Sequence, residues 1–245
     1  MVMKTPEQFL LDLEERFETL YDISEEATRS YFSSNPTKEH LIAHFKVRMM
    51  NERWNMIEFA KKVADLPVET PAEECMLLSK QVFDEALHFR FVKEVLEHLT
   101  GGPIDVTDSN KSHGEKDSAK GVTLIDRYEG QTDPLIMALY QLLGEGRAAR
   151  VWATMSSCIE DEFISSRYGK IARDEKFHSN IGRIKLAGLL TTEEAQEKVW
   201  DIAGKMCWDL YEVVCLNTYM PTEQAKIRMR EVYGEPNRPL VLDNI

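Results

Sequence analysis

The chain has 245 residues, 43% of them hydrophobic, which is enough for a sizeable core and too many for a disordered chain. Its 42 Asp and Glu outnumber 30 Lys and Arg, and the resulting net charge of −12 repels phosphate backbones, so nucleic acid is not expected as a partner. No apolar run approaches the ~20 residues that span a bilayer, Met1–Glu7 does not read as a signal peptide, and Cys75, Cys158, Cys207 and Cys215 form no C-x-x-C pair; the expectation is a cytoplasmic protein with no membrane partner and with thiols that act as small buried hydrophobes.

Punctuation along the chain is helical. Thr5-Pro6-Glu7-Gln8 reads as an N-cap, a first-turn proline and a capping-box residue. Asn35-Pro36 opens a helix over about 36–66, and Thr70-Pro71-Ala72-Glu73 opens the next over 71–100, stopped by Gly101-Gly102-Pro103. Residues 101–131 form the one long irregular stretch, which includes Ser109-Asn110-Lys111-Ser112-His113-Gly114. A connection of that length is a crossover, a lid or disorder, and between two helical pairs it reads as a crossover. Asp133-Pro134 opens a helix over 134–157, and Ser157 with Glu160 reads as the cap of another over 159–190. Thr191-Thr192-Glu193-Glu194 is a further capping box, and Pro221 and Gly234 bracket a short last helix. The expected fold is all-α: a single domain over 1–245, built as a four-helix bundle with a long crossover and extra N- and C-terminal helices.

Two segments carry chemistry. Asp84-Glu85-Ala86-Leu87-His88 and Asp174-Glu175-Lys176-Phe177-His178 are both D-E-x-x-H, a pattern expected roughly 0.04 times by chance in a chain of this composition. On a helix, residues i and i+3 share a face, so each motif offers one carboxylate and one imidazole to the same point. Two such helices plus one Glu from each of two others form the di-metal carboxylate arrangement of ferritin-like bundles. Antiparallel helices reach the same height when equidistant from their turn, which selects Glu52 against Glu85 and Glu145 against Glu175. Phe45, Met49, Met56 and Phe59 surround Glu52 on its helix, whereas Glu58 lies among Lys61, Lys62 and Asp65 on a solvated face. Glu160 and Glu162 are rival third-helix ligands, placed near the turn. Four carboxylates on apolar faces are untenable without cations, and two divalent ions neutralise them. Asp84 and Asp174 are positioned to hold His178 and His88 reciprocally, as metal-bound imidazoles require.

At these residues the sequence resembles the ferritin-like di-iron oxygenases, and among them the catalytic subunit of phenylacetyl-CoA epoxidases. Lys80–His88 is similar to that family's K-x-Q-D-E-A-G-H segment, and Lys170–His178 to its K-I-x-x-E-E-x-F-H segment. Ligand order and spacing also resemble the ribonucleotide reductase small subunit and soluble methane monooxygenase. The resemblance covers about 40–100 and 134–215; the family carries aspartate where this chain has Glu145. It implies metal ligands at Glu52, Glu85, His88, Glu145, Glu175 and His178, with Glu52 and Glu145 on the catalytic side, and two iron ions, a carboxylate-rich set that also accepts Mn/Fe. It further implies oxidation of a small molecule by O₂, by hydroxylation, epoxidation or N-oxygenation. No flavin or nicotinamide fingerprint is present, so an external reductase is expected, and a homodimer is compatible with such a bundle. Gly144, Gly146, Ala148 and Ala149 leave room for substrate or for close helix packing. Iron oxidation or storage, a radical-generating subunit using Tyr168, and a binding bundle without turnover are the alternative functions.

Overall fold

The computed structural model describes residues 2–107, 133–218 and 222–240. Among the described residues there are seven helices and no strand: α1 (Pro6–Ser33), α2 (Lys38–Ala64), α3 (Ala72–Thr100), α4 (Pro134–Cys158), α5 (Glu162–Leu189), α6 (Glu193–Thr218) and α7 (Glu223–Tyr233).

Local chemistry sets the helix ends. Thr5 accepts from Gln8 N, Asp133 from Leu135 N, and Thr192 from Ala195 N. Gly101 closes α3 in the left-handed region, at φ 76°. Three starts differ from the sequence reading. Asn35 turns the chain at φ 53°, so Pro36 lies outside the helix and Thr37 caps α2 by accepting from His40 N. Pro71 itself occupies the cap position of α3 without a side-chain bond, and the Thr70 N–H donates to the Pro67 carbonyl inside the turn. Ser157 stays within α4, its hydroxyl donating to the Thr154 carbonyl; Ile159 is extended, and Asp161 caps α5 by accepting from Phe163 N and Ile164 N. Pro221 lies outside the described residues, and Thr222 caps α7.

Short turns make α2–α3 and α4–α5 two antiparallel hairpins. The hairpins meet through α3 and α5, which also run antiparallel: Glu74 pairs with Lys185, and Glu94 with Arg167. His98, near the end of α3, reaches Asp161 in the α4–α5 turn at 2.8 Å. That contact places the end of α3 and the start of α4 at opposite ends of the bundle. The end of α3 and the start of α4 are therefore separated by the length of a 25-residue helix, about 37 Å. Positions 108–131 of the expected crossover lie outside the described residues.

The apolar interior has two parts. One lies within the two hairpins, where Phe45, Met49, Val92, Val95, Trp152, Met155, Tyr168 and Ile171 interdigitate. The other is built by α1, α6 and α7 against the first half of α4, around Phe9, Leu13, Phe17, Leu139, Trp208 and Tyr211. α6 is buried almost continuously from Ala203 to Cys215, as expected of a helix covered on most sides. No described helix is long and apolar enough to cross a membrane.

α4 and α5 touch backbone to backbone. A Cβ added at Gly182 would lie 2.4 Å from Leu142 N and 2.8 Å from Gln141 C. The Ser179 hydroxyl, one turn earlier, donates to the Leu142 carbonyl at 2.8 Å. Backbone atoms cannot step aside, so Gly182→Ala is expected to cost about 1–3 kcal/mol, as overpacking does. For a chain of this size that is roughly 2–4 °C in Tm per kcal/mol. A Cβ at Gly188, on the same helix, meets nothing within 4 Å, so Gly188→Ala should leave Tm unchanged or slightly raised. Thermal unfolding of the two variants side by side checks the close approach.

Candidate metal centre

Each bundle helix delivers its acidic side chain from an inward-facing turn. Glu52 on α2, Glu85 and His88 on α3, Glu145 on α4, and Glu175 and His178 on α5 are all buried. They form two groups in which the ligand atoms lie within 4.8 Å of one another: Glu52, Glu85, His88 and Glu175, and then Glu85, Glu145, Glu175 and His178. Glu85 and Glu175 belong to both. His88 Nδ1 faces Glu52 at 3.4 Å, Glu175 at 3.6 Å and Glu85 at 3.7 Å. His178 Nδ1 faces Glu175 at 2.9 Å and Glu85 at 3.4 Å.

The other ring nitrogens turn outward to the opposite motif. His88 Nε2 meets Asp174 at 3.3 Å, and His178 Nε2 meets Asp84 at 3.1 Å. Lys80 also pairs with Asp84. Burial pushes the Asp84 carboxyl up, but the His178 imidazole and the Lys80 ammonium outweigh it and hold the group below its ordinary value. An ionised carboxylate only accepts hydrogen bonds, so Nε2 of His178 carries the hydrogen and Nδ1 is the atom turned to the carboxylates.

Inside the ring the balance reverses. Burial first, then the Glu145 and Glu52 charges, push Glu85 up to about 7 against the opposing pull of His88. Burial, with Glu145 and Glu85, pushes Glu175 well above the carboxylate range. Burial disfavours charge on both imidazoles too, yet the surrounding carboxylates outweigh it: His88 is raised well above its ordinary value and His178 to about 11. Without a cation, therefore, the ring shares protons. Glu52 Oε2, both oxygens of Glu85 and His88 Nδ1 are buried with no hydrogen-bond partner among the described residues, a costly state unless something positive satisfies them. Oxygen donors with two imidazoles suit iron, manganese and related ions. These buried clusters can hold metal.

Four further residues shape the ring, and the sequence reading did not single them out. Gln81 Nε2 donates to Glu145 Oε1 at 3.1 Å, and Gln141 Nε2 donates to Gln81 Oε1 at 2.6 Å, so a buried amide chain fixes Glu145. Arg48 and Arg147 are buried beside Glu52 and Glu145. Burial above all lowers both guanidiniums, Arg48 to about 10. The available signal was spacing: Gln81, Gln141 and Arg48 each precede a ligand glutamate by four residues, one helical turn. Arg147 carries no such mark.

The remaining candidates separate cleanly. Glu160 and Glu162 are exposed at the α4–α5 turn. Glu58 is half-buried, paired with Lys61 at 2.6 Å. Tyr168 is fully buried, with its ring 4.8 Å from Trp152. Gly144 and Ala148 line a cavity of about 60 Å³ between α2, α4 and α6, together with Glu52, Glu145 and Glu175, whereas a Cβ at Gly146 would strike the Tyr21 hydroxyl of α1. The cysteines are free thiols, Cys207 and Cys215 buried and Cys75 and Cys158 half-buried, and none belongs to the metal-binding clusters. Comparison with family models, with curated proteins and with solved structures found no match.

Two predictions follow from the geometry. Asp84→Asn and Asp174→Asn, nearly isosteric, should each weaken metal affinity about 10–100-fold, the usual cost of losing such a partner. Asp65→Asn, at an exposed position, should match wild type in the same chelator competition. Apparent affinity should also rise with pH from about pH 6 to about pH 8, by about tenfold per unit for each proton displaced. The sign follows from the raised Glu85, Glu175 and histidines, whose protons compete with the cation at low pH; a pH-independent affinity would contradict it.

Proposed function

We propose that the chain is a ferritin-like, non-haem di-iron oxygenase of the reducing cytoplasm. It oxidises a small organic substrate with O₂ and an external electron donor, by hydroxylation, epoxidation or N-oxygenation. One observation carries the reading: two four-residue ligand groups that share Glu85 and Glu175. The four glutamates offer −4 against the +4 of two divalent ions, Fe/Fe in the first instance, with Mn/Fe accepted by the same donors. When bound, the metal pair supplies the electrons and open coordination positions that let one oxygen atom of O₂ enter substrate, while the other leaves as water with two donor electrons and two protons.

The chain's own work is positioning. Glu85 and Glu175, which belong to both ligand groups, would hold metal in each. Asp84 and Asp174 lock the imidazole tautomers and keep Nδ1 inward. Gln81 holds Glu145 in place. Phe45, Met49, Trp152 and Tyr168 exclude water from one side, and the cavity beside Glu52, Glu145 and Glu175 is the side on which substrate approaches.

The protein isolated with iron is expected to contain about two ions per chain, the count this ligand set supports, and to consume O₂ faster when reductant and substrate are both present. Glu52→Gln should abolish that uptake. Glu58→Gln, on the Lys61 side of α2, should leave it within experimental scatter. Uptake driven by ferrous ion alone would identify an iron oxidase instead. A second reading, a radical-generating subunit, rests on Tyr168, whose buried hydroxyl has no hydrogen-bond partner among the described residues. Tyr168→Phe separates the two: an oxygenase keeps substrate-dependent uptake, whereas a radical subunit loses its radical signal and its activity together.

A further inference from the structure

The cavity between α2, α4 and α6 has a polar end that the metal ligands do not explain. Arg48 stands one turn before Glu52 on α2, and Arg147 stands two residues after Glu145 on α4. Each is only 7% exposed, and both line the cavity. Other arginines of the chain meet acids: Arg150 pairs with Glu18, Asp22 and Glu25, Arg167 with Glu94, and Arg183 with Glu7 and Glu14. Among the described residues no acid lies within ion-pair distance of Arg48 or Arg147. Nε of Arg48, and Nε and Nη1 of Arg147, are buried without a hydrogen-bond partner. The Arg48 guanidinium lies over the Trp152 ring at 5.5 Å, which holds its plane but accepts none of its hydrogen bonds. The two guanidiniums also repel each other.

The other charged groups lining the cavity are spoken for. Glu52, Glu145 and Glu175 belong to the metal clusters. Asp209 accepts from Arg238 Nε at 3.2 Å and Nη2 at 2.5 Å, and Arg238 pairs with Glu212 as well. Two buried cations with idle N–H groups, beside a ring whose carboxylates two divalent ions would neutralise, call for an anion. Planar guanidinium forks match a planar oxyanion in bidentate fashion. The cavity is small, about 60 Å³, so only a short-chain acid suits it. Ala148, Trp152, Leu210 and Val213 give the wall an apolar part, beside Asn51, Asn55 and Tyr140.

We propose that Arg48 and Arg147 form an oxyanion pocket that takes the carboxylate of a small carboxylic-acid substrate and presents the adjacent carbons to the face of the metal ring formed by Glu52 and Glu145. This assignment of substrate class rests on the oxygenase reading above.

The test is calorimetric titration of the metal-loaded full chain with propionate, propionamide and inorganic phosphate, with metal content measured on every sample. Propionate is expected to bind, with propionamide at least about tenfold weaker and phosphate silent at the same concentration. Arg48→Gln and Arg147→Gln should each weaken propionate about 10–100-fold, the range for a lost charge-assisted hydrogen bond, and Arg→Lys should restore part of it. Propionate bound directly to metal would persist in both Gln variants, and that persistence overturns the pocket. So does equal binding of acid and amide by wild type, a comparison that stands even where a variant fails to fold, or tighter binding of phosphate than of propionate. Normal metal content with no preference for acid over amide overturns the pocket alone. Discrimination with no metal bound keeps the pocket and removes the oxygenase reading.

Discussion

Four glutamates share one buried ring, and the rest of the bundle is arranged around that concentration of like charge. In a low-dielectric interior, carboxylates this close cannot all ionise alone. The raised Glu85 and Glu175 and the proton-holding imidazoles are the same constraint expressed as protonation. A cation would resolve it in one step, displacing the protons and satisfying the orphaned oxygens of Glu52 and Glu85. The surrounding contacts then become intelligible as support: aspartates behind the histidines, an amide chain behind Glu145, and an apolar layer at one side.

The layering has an energetic cost. A ring of polar groups takes space in the bundle that apolar side chains would otherwise fill, so the hairpins' own core lies to one side of it. The second core, where α1, α6 and α7 cover α4, lies outside the ring and supplies burial that does not depend on its charge state. The extra terminal helices are therefore structural partners of the site. α6 is also more than a support: its Asp209, Leu210 and Val213 form the outer wall of the cavity.

Much of this arrangement was legible in the sequence because helices convert spacing into position. The D-E-x-x-H segments and the turn midpoints name six residues that the fold brings together, and the reciprocal aspartates follow from one residue of offset. Some helix starts were not legible: Asn35 turns the chain by a positive φ that a proline signal does not reveal, and Asp161 competes with Ser157 for the cap through backbone geometry at Ile159. Gln81, Gln141 and Arg48 sit on the ligand face, yet amides and guanidiniums in an acidic chain read as solvated positions until a neighbouring helix buries them. Arg147 escapes spacing altogether, because it stands two residues from Glu145 and its surroundings, Tyr21 of α1 and Glu175 of α5 among them, come from other parts of the chain.

Each α-hairpin carries three ligands and can complete nothing by itself. Glu52, Glu85 and His88 come from α2–α3 and await Glu175; Glu145, Glu175 and His178 come from α4–α5 and await Glu85. The last residue of α3 and the first of α4 stand at opposite ends of the bundle. A cation held by either cluster would bind both hairpins at once. Its capture would report that the hairpins are docked, in addition to the core and ion pairs that already join them. By mass action, such an ion would add its binding free energy to the stability of the docked pair.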